Sequence, residues 1–278
     1  MKKRGKKTRR DGEKEFSPLF RAAGGSVSTS PQVTDLLAVV DAAKRNFRLE
    51  YSYCCSTMER GRYLSTNPLT PFIVYLILFH AAWIGWVFLI YPWARTLGEA
   101  TLLYAVVNIG LRLVIWVLPV FLYLRYIDRV EPIAFLKLKH YWRRGVLIGL
   151  ALTGLNFLGS VARFGWPHPS TQSITWNSIL GTSLLIGFLE EIPYRGFILQ
   201  KLQQRLSFWV ANLISSVLFL GIHLPGWISL HMLRTDLVVS IFIFGALMAI
   251  VFRYSKSLWS VIVTHSLNDF LSFIIFHR

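Results

Sequence analysis

Cysteine is nearly absent from this 278-residue chain, which has only Cys54 and Cys55, side by side. Adjacent cysteines rarely bridge to each other, so no disulfide framework and no CxxC pair is available. Charge is scarce too. Charged residues make up 16% of the chain and hydrophobic ones 54%, whereas soluble domains carry ~25% charge. A soluble globular protein is thereby excluded in favour of an all-α, polytopic membrane protein. No apolar stretch follows the basic N-terminus within signal-peptide distance, so that end is not a secretory signal. No internal repeat is visible, which removes support for an inverted-repeat transporter.

What charge there is lies unevenly. Residues 1–70 hold 14 Lys/Arg against 7 Asp/Glu, and the first ten, MKKRGKKTRR, hold seven basic groups. No aromatic interleaving or nucleic-acid-binding signature accompanies them. The tail reads as a cytoplasmic segment that obeys the positive-inside rule and touches anionic lipid, with no nucleic-acid partner. Its first 32 residues read as disordered. The spacing of Val33, Leu36, Leu37, Val40 and Phe47 predicts a short amphipathic helix over 33–50, near the membrane face.

Beyond the tail, residues 71–278 form the membrane domain. Spans of bilayer length are predicted at 71–91, 101–124, 145–162, 174–193, 208–224, 236–252 and 258–276, seven or eight in all. The loops at 125–144, 194–207 and 253–257 carry six, three and two Lys/Arg, whereas those at 92–100, 163–175 and 225–235 carry one each. This alternation places the N-terminus and the richer loops in the cytoplasm. Compactness and the basic tail point to a bacterial plasma membrane.

The acids inside the fourth span are the informative residues. Glu190 and Glu191 end the run SLLIGFL, and Arg195 follows four residues later. Ionisable groups at membrane depth cost at least ~2.5 kcal/mol each on insertion scales, so they persist where they have a partner or a job. Consecutive helix positions differ by about 100°, so the two glutamates cannot serve one substrate atom. Glu191 and Arg195 are i, i+4 with the acid first, the favourable order for an ion pair, which leaves Glu190 free to act. Pro193 bends this turn and opens room for water. The polar stretch 200–207 suggests a helical hairpin turning near 206–207. Residues whose numbers sum to about 413 then share a level, and Glu190 comes level with His223. Pro225 and Gly226 are expected to end the helix just after that histidine. In the last span, His265 and Asp269 are i, i+4, with Asn268 at i+3, so all three can face one cavity. Arg112 with Asn108 reads as a buried polar contact in the second span. His80, His140, His168, His231 and His277 read as structural or loop residues.

Glu190-Glu191-x-x-x-Arg195, then Phe219-x-x-x-His223, then His265-x-x-x-Asp269 resembles the CPBP family. These are the CAAX-prenyl-endopeptidase-like and bacteriocin-processing intramembrane proteases, also called Abi proteins. The resemblance covers residues 110–276, with the catalytic core at about 174–276. It implies an intramembrane endopeptidase open toward the cytosol, acting on a membrane-associated or lipidated peptide or protein. It also implies Glu190 as the base that activates water, assisted by His223. His265 with Asp269 would orient the water or hold the oxyanion, and Arg195 would organise the site. Two departures stand out: Pro193-Tyr194 replaces a large apolar pair, and Asp269 stands where many members have asparagine. An unprotonated carboxylate cannot donate to an oxyanion, which leaves Asp269 to orient His265 and Asn268 to supply a donor.

The chemistry is coherent apart from the resemblance. A carboxylate in low dielectric suits general-base work, and a donor aimed at a developing oxyanion contributes about 3 kcal/mol. Glu190, His223 and His265 also make a three-ligand catalytic zinc set, although the chain has no HExxH and the histidines lie on different helices. Both a metal-bound and a metal-free water stay open at this level. The alternatives to a protease are a non-catalytic scaffold or secretion helper, and a proton-linked transporter.

Overall fold

The protein is described here by a computed structural model covering residues 69–167 and 174–276. Apart from residues 69 and 70, the basic tail expected over 1–70 lies outside the described residues. So do the amphipathic helix read over 33–50, Cys54, Cys55, His168 and His277.

Every regular element among the described residues is helical. Helix α1 spans Leu69–Arg95, α2 Leu102–Ile127 and α3 Trp142–Phe164. Helix α4 covers residues 177–203, interrupted at Leu185. Helices α5, α6 and α7 span Phe208–Ser229, Thr235–Ser255 and Leu258–Ile275. A one-turn helix, Pro132–Phe135, lies between α2 and α3. Its N-terminus is capped by the Glu131 carboxylate, which accepts from the Ile133 and Ala134 N–H groups. The Thr101 hydroxyl caps α2 by accepting from the Tyr104 N–H at 3.1 Å.

Six of these helices, all except α4, are long and apolar enough to cross a membrane. The predicted span at 174–193 is the first part of α4, and its difference from the others has a physical cause. From Ile186 to Leu199 every α4 residue except Phe188 is buried. This helix is wrapped by protein, which is how it tolerates Glu190, Glu191, Arg195 and Lys201. The surrounding helices turn their apolar side chains outward, among them Ile77, Leu89, Leu147, Leu155 and Val217. That is the pattern of helices facing hydrocarbon.

Prolines accompany three of the wide turns. Pro92 and Pro119 each follow a wide, π-type turn, at Trp86–Ile90 and Leu113–Val117, and Pro193 lies within another, Ile192–Ile198. A proline lacks the N–H that would close a regular turn, and the helix relaxes by widening. Pro225 behaves differently from expectation, since α5 continues through it to Ser229. Unpaired backbone in hydrocarbon is costly enough that one missing hydrogen bond does not end the helix.

Glycine decides how the last helix docks. A Cβ at Gly187 of α4 would lie 2.6 Å from Ser266 Oγ and 2.9 Å from its backbone nitrogen. A Cβ at Gly149 of α3 would lie 2.7 Å from Val263 Cβ. Helix α7 is thus seated between two glycine-bearing helices at close backbone approach, the usual small-residue logic of membrane helix packing. At the far end of α4, Lys201 Nζ donates to both Asp128 oxygens at 3.1 and 3.0 Å, joining the ends of α4 and α2 in a buried pair. Phe197 anchors the same region edge-on to Tyr75 and Tyr123, with ring centroids 4.9 and 5.0 Å away.

Candidate active site

The turn at residues 204–207 folds α5 back along α4, which sets Glu190 and His223 at one level. Glu190 Oε2 lies 3.9 Å from His223 Nε2 and 3.9 Å from His265 Nε2. That oxygen is buried and has no hydrogen-bond partner among the described residues. Three helices, α4, α5 and α7, therefore converge one carboxylate oxygen and two imidazole nitrogens on a single point.

Each imidazole is fixed from behind. His223 Nδ1 sits 2.9 Å from the Phe219 carbonyl oxygen. A carbonyl only accepts, so Nδ1 carries the proton in that bond and Nε2 faces Glu190. His265 Nδ1 lies 2.7 Å from Glu191 Oε1 and donates to it. The same Glu191 oxygen accepts from Arg195 Nη1 at 3.0 Å. Arg195 Nη2 in turn donates to the Gly245 carbonyl at 2.9 Å, and its guanidinium lies 4.2 Å from the Phe219 ring centroid. Glu191 and Arg195 are fully or almost fully buried. A guanidinium and an imidazole thus share one acceptor in a dry environment, where charge-assisted hydrogen bonds are strongest.

Asp269 departs from the sequence reading. Asp269 Oδ2 is 3.8 Å from His265 Nε2, beyond hydrogen-bond distance and partly exposed, and the partner that fixes His265 is Glu191. The reason is that α7 docks against α4 at Gly187, bringing His265 onto the Glu191 face. Asn268 Oδ1 accepts from Asn156 of α3 at 3.0 Å, which ties the carbonyl end of its amide to α3. Arg112 and Asn108 do not bond each other. Arg112 Nη1 donates to the Gly181 carbonyl at 3.2 Å and Asn108 Nδ2 to Asn177 Oδ1 at 2.8 Å, so both tie α2 to α4.

Other residues belong to the site without a sequence signal strong enough to select them. Phe244 of α6 packs edge-on to His265, centroids 4.8 Å apart, and Gly245 supplies the carbonyl that Arg195 needs. A side chain at Gly245 would meet Arg195 Nη2 at 3.5 Å and Phe219 Cδ1 at 3.2 Å, so the glycine keeps that approach open. Tyr194, next to Arg195, donates to the Leu218 carbonyl at 3.2 Å and packs against Phe219.

Tetrahedral zinc with N and O ligands near 2.0–2.1 Å has ligand-to-ligand edges of roughly 3.4 Å, shorter than both Glu190–histidine separations. Among the described residues, no group of three His, Cys, Asp or Glu is set to hold a metal ion.

Residues 172–271 match a family model described as type II CAAX prenyl endopeptidase Rce1-like. No curated protein and no solved structure matches the chain.

Proposed function

We propose, for a membrane protein whose residues 172–271 match a CAAX-protease-like family model, that the chain is an intramembrane endopeptidase using a glutamate-activated water. The observation that carries this reading is the unpartnered Glu190 Oε2 held 3.9 Å from both His223 Nε2 and His265 Nε2. One water molecule spans such separations with hydrogen bonds of about 2.8 Å.

In the reaction, Glu190 takes a proton from that water while the oxygen attacks the scissile carbonyl carbon. His223 is the neutral acceptor that orients the water, because its other nitrogen is committed to the Phe219 carbonyl. His265, in its protonated form, offers Nε2–H to the oxyanion, and Glu191 balances that charge from Nδ1. Collapse of the tetrahedral intermediate breaks the C–N bond, and Glu190 returns its proton to the leaving amine. Arg195 does not touch the reacting atoms. It positions Glu191, and through it His265. Asp269 sits at the partly exposed margin and tunes His265 at longer range.

The substrate is a membrane-associated or lipidated peptide or protein, reached from the cytoplasmic side, with the N-terminal tail cytoplasmic and the protein in a bacterial plasma membrane. The basic 1–70 segment serves as a lipid-facing tail to the 71–278 protease domain. Peptide termini in membranes from cells expressing wild type and Glu190→Ala should be compared by mass spectrometry. New termini that depend on Glu190 are expected. Identical termini in both samples would leave a scaffold or secretion-helper role as the better reading.

A further inference from the structure

One face of α2, about two turns long, is left with unmet hydrogen-bonding capacity beside the catalytic point. Asn108, Arg112 and Trp116 recur every fourth residue and so share that face. Asn108 Oδ1, Arg112 Nε and Trp116 Nε1 are each buried with no hydrogen-bond partner among the described residues. The indole of Trp116 is 1% exposed. An unsatisfied buried donor costs about 1–3 kcal/mol, more when charged, so several on one face call for an explanation.

Arg112 sharpens the point. A guanidinium has five N–H donors. Here one hydrogen bond goes to the Gly181 carbonyl, and the group lies over the Trp83 and Trp116 rings at 5.8 and 5.6 Å. No carboxylate lies within ion-pair distance of it among the described residues. Arg195, by contrast, has a carboxylate, a carbonyl and an aromatic face. The Leu113–Val117 turn packs against the Ile186–Glu191 segment of α4. The wall is continuous with the catalytic point. Trp83 packs against Trp116 with centroids 4.4 Å apart and ring planes tilted by 56°, and donates to the carbonyl of Ile222, the residue before His223.

We propose that Arg112 and Trp116 form a substrate subsite on α2, beside Glu190, that binds an oxygen acceptor of the peptide, either a chain carbonyl or the terminal carboxylate. The inference rests on the endopeptidase reading of Glu190. A peptide held there crosses from α2 toward α4 and presents its scissile carbonyl to the water at Glu190. The cation and the indole N–H provide two donors of different strength, and the tryptophan rings cover the backbone between them.

The test uses full-length protein carrying Glu190→Gln, so that binding is measured without cleavage. The probe is a fluorescein-labelled peptide with a prenylated cysteine three residues before its C-terminus, made as the free acid and as the amide. Fluorescence anisotropy in nanodiscs gives Kd. Adding Arg112→Gln should weaken binding roughly tenfold or more, and Trp116→Phe about threefold to tenfold. Arg112→Lys, which keeps the charge, should lose less than Arg112→Gln. A larger loss for the acid than for the amide assigns the acceptor to the terminal carboxylate, and equal losses assign it to a chain carbonyl. Unchanged affinity in a folded Arg112→Gln protein overturns the subsite, as does a parent protein that binds neither probe saturably. If Arg112→Gln fails to fold, Trp116→Phe decides, and unchanged affinity there overturns it. Cleavage by the Glu190→Gln parent would instead refute the catalytic reading, a different result from either of these.

Discussion

Replacing Glu191 with alanine removes the oxygen that Arg195 Nη1 and His265 Nδ1 share at 3.0 and 2.7 Å. Both donors stay where the fold puts them, in a region with almost no solvent exposure. A buried ion pair that loses one partner costs about 3–5 kcal/mol, because the other charge is left uncompensated. Arg195 keeps the Gly245 carbonyl and the Phe219 face, which places the expected loss near the lower end, about 3 kcal/mol. For a protein of this size each kcal/mol shifts the melting temperature by about 2–4 °C, so a drop of roughly 6–12 °C is expected. Adding Arg195→Met removes the stranded cation and should restore most of that stability, with a coupling energy of about 2–3 kcal/mol in the double-mutant cycle. Peptide cleavage should not return in the double variant, since His265 still lacks its anchor. The assays are thermal unfolding in detergent and cleavage by the same preparations. A Glu191→Ala protein that melts within about 2 °C of wild type, or strictly additive single losses, would refute the shared-acceptor reasoning.

Four further outcomes follow from the packing and the site. Gly187→Ala should push α7 away from α4, costing about 1–3 kcal/mol in stability, and should lower kcat because His265 moves with Ser266; thermal melts and kinetics on one preparation check both. Gly149→Ala, which meets Val263 from α3 rather than the Ser266 turn that packs on α4, should cost similar stability, and its kcat loss should be the smaller. Lys201→Met should lower stability by about 3 kcal/mol through the broken Asp128 pair while the cleavage rate of the surviving folded protein stays near wild type. His223→Gln should lower kcat roughly 10²-fold or more with little change in KM, the pattern for loss of a group that orients the attacking water in the transition state.

Local spacing carried much of the site into view. The i, i+4 order of Glu191 and Arg195 specifies their pairing, and the polar stretch at 200–207 supplies the turn that brings Glu190 to the level of His223. Both are properties of one helix or one hairpin. The contact between His265 and Glu191 is different in kind. It depends on how closely α7 approaches α4 and α3, which is set by the absence of side chains at Gly187 and Gly149, and spacing within α7 alone pointed to Asp269 instead. Arg112 illustrates the same limit. Its neighbour in sequence, Asn108, looks like its partner, yet both side chains reach across to α4. The burial of α4 could not be read from hydropathy because its charges make it look like the weakest membrane segment, when those charges are compensated by the helices around it. Pro225 shows that a helix-breaking residue does not break a helix where unpaired backbone has no water to turn to.

The most direct test is a single-turnover cleavage measurement on purified full-length protein in liposomes, comparing wild type with Glu190→Gln on a peptide that wild type cleaves. The substitution keeps the size and shape of the side chain and removes the base. Loss of cleavage in a Glu190→Gln protein that melts like wild type is expected, since no other described carboxylate oxygen faces both histidines. Cleavage at the wild-type rate would contradict Glu190 as the group that activates water.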